Sequence, residues 1–178
     1  MQPTVVEAAK RNSTIDFRIM ATTDLHANIM DHDYFTDKQD PNMGLSRLST
    51  IIEESKKEVD KDTKNKNIDN SILVDNGDVI QGNPLSTVYA MNEETKVKPG
   101  EKYPVYEALD ILGYDATTLG NHEFNYGLDF LKQITKKNVM KTNVVNANVL
   151  DNNGKHIFNP YNIINETVID SNGKKQKS

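Results

Sequence analysis

"DATTLGNHEFNYGLDFL", Asp115 to Leu131, reads as a strand, a polar turn and a helix in immediate succession. "DATTL" is a short β-forming run. "GLDFLKQITKK", starting at Gly127, has helical apolar spacing and ends in a basic turn before Asn138. Between them the chain crowds Asn121, His122 and Glu123 into one turn. Loops on a rigid scaffold carry chemistry more often than cores do. One tetrapeptide alone is still better explained as a polar turn, so the rest of the chain decides.

Two more strands end in the same way. "IDFRIMATT", Ile15 to Thr23, alternates and is rich in β-formers, and it runs into "DLHAN". "SILVD", Ser71 to Asp75, is a buried-strand run that ends in "NGD". The intervening segments read as helices. "GLSRLSTIIEESKKEVDK" places Leu45, Leu48, Ile51, Ile52 and Val59 at helical spacing. "NPLSTVYAM" has Pro84 in its first turn, and "PVYEALDIL" is closed by Gly113. "TNVVNANVL" is a further strand. The polar stretch with Asp31, His32, Asp33 and Asp37 reads as loop, and so does "DKDTKNKNIDN". Strand and helix alternate throughout, which predicts an α/β fold with mainly parallel strands.

In an open parallel sheet the strand C-termini share one edge, and ligands bind there. Asp24 and His26, then Asp78, then Asn121 and His122 would meet at that edge. Carboxylate, imidazole and amide oxygens suit hard or borderline divalent ions. Asp78, with two oxygens, is able to bridge two of them. Taken singly, Asp24 reads as a helix cap and Asp78 as a turn residue. Together, each at a strand end, they are hard to ascribe to three coincidences. His32 and His156 lack such a setting and read as surface residues. Glu123 reads as a support for its loop, and Asp75 as a cap for backbone N–H groups.

Composition excludes several classes. The 178 residues carry a net charge of −5, so no basic field points to a nucleic-acid polymer. With no cysteine there is no disulfide, thiolate zinc site or thiol nucleophile. No apolar run approaches the roughly 18 residues that span a membrane. Residues 1–14 read as a polar leader or linker without the apolar core of a signal peptide.

The ordered set "TTDLHAN", "VDNGDVIQGNPL" and "LGNHEFNYGLDFL" resembles the calcineurin-like metallophosphoesterases. Within them it is similar to the bacterial 2′,3′-cyclic-nucleotide 2′-phosphodiesterase/3′-nucleotidase branch of the 5′-nucleotidase group. The resemblance runs from about Phe17 onward. It implies a four-layer α/β/β/α sandwich around two divalent ions (Mn, Zn, Fe, Co or Mg). Asp24, His26 and Asp78 would hold the first ion, with Asp78 bridging and Asn121 on the second. His122 would be the catalytic histidine, and Asn121 and His122 would contact the substrate.

Two departures bear on this. The family draws further metal-binding histidines from later segments, including a Gly-His-x-His motif that this chain lacks. In 5′-nucleotidase relatives an Asp sits three residues after the catalytic histidine, where this chain has Asn125, as the cyclic-phosphodiesterase branch commonly does. "NETVIDSNGKKQKS" reads as a hairpin around Asn172-Gly173 that stops at its second strand. Residues 15–178 are therefore expected to be the N-terminal part of a catalytic domain, with a base-binding domain elsewhere. The expected activity is hydrolysis of 2′,3′-cyclic nucleotides to 3′-nucleotides and then nucleosides, by a secreted, periplasmic or wall-associated enzyme. The rivals are 5′-nucleotide or nucleotide-sugar hydrolysis on the same scaffold, and a non-catalytic surface binding module.

Overall fold

A computed structural model describes residues 13–61 and 70–177. The first twelve residues of the expected leader, and most of the "DKDTKNKNIDN" loop, lie outside the described residues. The elements, in order, begin with β1 (Arg18–Thr22), β2 (His32–Asp33), β3 (Lys38–Gln39), α1 (Leu45–Lys61) and β4 (Ser71–Asp75). Next come α2 (Pro84–Met91), α3 (Pro104–Leu112), β5 (Ala116–Thr117), α4 (Leu128–Ile134) and β6 (Asn143–Val144). β7 (Thr167–Ile169) and β8 (Lys175–Lys177) close the series as an antiparallel hairpin. No described helix is long and apolar enough to cross a membrane.

The main sheet has the order β1-β4-β5-β6, and every neighbouring pair is parallel. Its strands are laid down in sequence order, so right-handed crossovers carry the connecting helices to one face. The core agrees. Leu73 on β4 is buried with Leu45 and Ile52 of α1, Val105, Tyr106 and Leu109 of α3, and Leu131 and Ile134 of α4. Among the described residues the opposite face is poorly covered: Ile19 is 68% exposed, and its register partner Ile72 is only half-buried. Of the four layers in the expected sandwich, the described residues build one helical layer and one sheet.

The helix ends follow their local chemistry. Asn83 caps α2 by accepting the Leu85 N–H at 2.9 Å, and Pro84 follows it. Gly113 ends α3 in the left-handed conformation, as expected.

Several elements differ from expectation, each for a local reason. The polar stretch after Met30 folds as the β2–β3 hairpin, with the Asp33 carboxylate accepting the Phe35 N–H at 2.9 Å. A turn closed by a side chain leaves no periodic signal. α4 ends at Ile134, with Lys132 in its last turn but Lys136 and Lys137 beyond it, because Thr135 leaves helical geometry (φ −97°, ψ 6°). "TNVVNANVL" pairs only over Asn143–Val144, since the Asn146 side chain then accepts the Val149 N–H at 2.9 Å and turns the chain. "DATTL" likewise pairs only at Ala116–Thr117. On α1, Leu45 and Ile52 are buried, but Leu48 and Ile51 remain exposed.

Candidate metal centre

The site is built from three turns that leave β1, β4 and β5. After β1 the backbone enters the left-handed region at Asp24 (φ 55°), His26 (φ 47°) and Ala27 (φ 60°). Side chains rarely adopt such angles, and clusters of them mark functional turns. The turn is held by three backbone bonds to the next loop. The N–H groups of Asp24, His26 and Ala27 donate to the carbonyls of Gly77, Asp78 and Val79 at 3.0, 2.9 and 2.7 Å. Asp78 itself has φ 56°. Two of the three loops are therefore one hydrogen-bonded unit.

The third loop joins through glycines and a carboxylate. A side chain at Gly77 (φ 92°) would place its Cβ 2.5 Å from the Gly120 nitrogen. One at Gly120 would collide with Asp78 Oδ1. Only glycine permits this approach. Glu123, fully buried, then ties the loops together. Its Oε2 accepts the Asp78 and Gly120 N–H groups at 2.9 and 2.6 Å, and its Oε1 accepts the Val79 N–H at 2.6 Å. The sequence reading of Glu123 as a loop support is what the geometry shows. Asp75 also caps as read, accepting the Gly77 N–H at 2.8 Å.

These constraints bring His26, Asp78 and His122 together, with one donor atom from each within 4.8 Å of the others. Asp78 Oδ1 accepts the His122 backbone N–H at 2.8 Å. The two imidazoles meet edge to face, with centroids 4.9 Å apart. Asp24 Oδ1 lies 3.7 Å from His26 Nε2, while the Thr23 hydroxyl donates to its other oxygen. Asn121 is exposed and opens the single 3₁₀ turn that contains His122, without a side-chain capping bond. His32 pairs with Asp37 at 3.3 Å on the β2–β3 hairpin, and His156 is exposed. Neither belongs to the cluster.

The donor set fits a divalent cation. Among the described residues, neither Asp24 nor Asp78 has a Lys or Arg ion-pair partner. His26 Nδ1 lies 2.8 Å from the Gln81 carbonyl, which only accepts, so Nδ1 carries a proton and a bound ion would be met by Nε2. Gln81 was not among the residues singled out by sequence. It acts through its backbone, which no residue type reveals. The cluster has oxygen and imidazole nitrogen donors and no sulfur, a set suited to ions from Mg to Zn.

Comparison with known proteins identifies the family. The profile of the calcineurin-like phosphoesterase family matches residues 17–176. The chain is 44% identical over 150 residues to a 2′,3′-cyclic-nucleotide 2′-phosphodiesterase/3′-nucleotidase of Yersinia enterocolitica, covering 84% of this chain and 21% of that protein. It is 46% identical over 128 residues to the enzyme of the same name from Salmonella typhimurium, covering 72% and 18%. It thus spans about a fifth of the length of these relatives. The crystal structure of the calcineurin-like phosphoesterase YfkN from Bacillus subtilis superposes with a TM-score of 0.81 at 41% identity, covering 92% of this chain and 46% of that one. By sequence and by fold, the chain belongs to the calcineurin-like phosphoesterases.

Proposed function

We propose that this chain carries the Asp24, His26, Asp78, Asn121 and His122 part of a two-metal centre in a nucleotide phosphoesterase. The preferred substrates are 2′,3′-cyclic nucleotides, which are opened to 3′-nucleotides and then dephosphorylated. The carrying observation is the convergence of donor atoms from three separate loops at one sheet edge. The names of the relatives that are 44% and 46% identical support the substrate class.

Asp24, His26 and Asp78 would hold one divalent ion, and Asp78 with Asn121 would hold the other. When bound, such ions neutralise phosphoryl charge and lower the pKa of the attacking water. The remaining work belongs to the chain. Asn121 and His122 orient the phosphoryl group. The Asn125 amide lies 3.2 Å from His122 Nδ1. With that amide donating to Nδ1, His122 has its Nε2–H to donate as a hydrogen bond to the 2′ oxygen. Water forms the new P–O bond as the P–O2′ bond breaks, and the proton that water releases ends on the 2′ oxygen. On the resemblance, we place the enzyme outside the cytoplasm: secreted, periplasmic or bound to the wall.

The test is hydrolysis by the full-length protein supplied with Mn. Chromatography should show 2′,3′-cyclic AMP converted first to 3′-AMP and then to adenosine, with both steps lost after chelation. A higher kcat/KM for 5′-AMP than for the cyclic substrate would overturn the substrate assignment. Hydrolysis that survives chelation would overturn the metal mechanism.

A further inference from the structure

The buried carboxylate of Asp75 lies outside the proposed donor set, yet it touches the root of every loop in that set. Its Oδ2 accepts the Thr22 hydroxyl at 2.6 Å, and its Oδ1 accepts the Thr117 hydroxyl at 3.1 Å and the Gly77 N–H at 2.8 Å. Thr22 ends β1 two residues before Asp24. Gly77 immediately precedes Asp78. Thr117 ends β5 four residues before Asn121. The register makes the placement exact across the sheet: Thr22 pairs with Asp75, and Asp75 pairs with Thr117. The Tyr114 hydroxyl extends the row, 2.9 Å from the Thr22 oxygen. Since Thr22 donates to Asp75, it accepts from Tyr114, and the proton order along the row is fixed.

We propose that Asp75 is a positioning residue for the metal centre, setting the spacing of its three loops through Thr22, Gly77 and Thr117. The proposal rests on the metal-centre reading above. Backbone pairing already holds these strands, and apolar side chains in the row would pack them without a carboxylate. The carboxylate is also held at a cost. Burial raises its pKa above the usual range, and the bonds from Thr22, Gly77 and Thr117 oppose that shift. What it adds is direction. Three donors converge on two oxygens only when the strand ends keep their present offsets, so the turns that follow are launched from fixed points.

Truncating Asp75 itself would endanger the fold, so the test removes its partners one at a time in the full-length protein. Thr22→Val and Thr117→Val keep the side-chain shape and delete the hydroxyl. Thr22→Ser and Thr117→Ser keep the hydroxyl and delete the methyl. Mn affinity is read by calorimetry, and stability by thermal unfolding of the metal-free protein. Each Val variant should lose about 10–100-fold in Mn affinity, the range typical of groups that support metal ligands. The Ser variants should keep the parent affinity. Val variants that bind Mn as the parent does, even with a lowered Tm, would overturn the positioning role and leave the metal centre standing. A parent protein that binds no Mn would overturn the metal centre and this role with it.

Discussion

Asp78→Ala should empty the metal centre of the full-length protein and abolish hydrolysis, whereas His122→Ala should keep its metal and lose turnover. Asp78 is the one carboxylate in the three-residue cluster, and its Oδ1 also accepts the His122 N–H at 2.8 Å. Removing it takes away a ligand proposed to serve both ions and frees the turn that carries His122. We expect Mn affinity to fall by more than the 10–100-fold typical of supporting residues, with no measurable turnover. His122 is assigned to the departing oxygen, so its loss should lower kcat by about 10²–10³, the usual cost of removing a donor to a developing oxyanion. Metal content by elemental analysis, set beside kcat, separates the two roles. The same cluster supplies the sharpest rival, since His122 has a donor atom within 4.8 Å of both His26 and Asp78. Equal metal loss in both variants would make His122 a ligand.

Glu123→Gln should be among the most destabilising single changes in the chain, on the order of 3–5 kcal/mol, because buried donors left unsatisfied cost about 1–3 kcal/mol each. The wild-type carboxylate has two oxygens that only accept, and between them they take N–H groups from Asp78, Val79, Ile80 and Gly120. A glutamine of the same shape must turn its NH₂ toward one of these pairs, donor against donor. Two loops that carry proposed ligands hang on this residue, so stability and Mn affinity should fall together. Urea unfolding with and without Mn reads both. A variant as stable as the parent would show that water or a shift of the loop replaces the carboxylate.

The sequence exposed the frame of this molecule because the frame is written in periodicity. The helical spacing of "PVYEALDIL" and the apolar run of "SILVD" became α3 and β4 without change, and Gly113 closed α3 as read. Element ends set by single residues were less legible. α4 ends where Thr135 leaves helical geometry, and Asn146 turns the chain after β6 with its side chain, and neither has a periodic signature. The site was legible in its residues because polar ligand types recur at three successive strand ends. Its geometry was not. Nothing in "DLHAN" announces three left-handed residues, and nothing in "VIQG" shows that the Gln81 carbonyl holds a proton on His26 Nδ1. The row of Thr22, Asp75 and Thr117 depends on register, which is settled only when the strands pair.

If the three loops hold metal, anomalous diffraction at the Mn edge, from crystals of the full-length protein grown with Mn, will locate it. Two anomalous peaks are expected, both in contact with Asp78, one shared with Asp24 and His26 and the other with Asn121. Peaks lying away from Asp78, or none at saturating Mn, would rule out the two-metal centre.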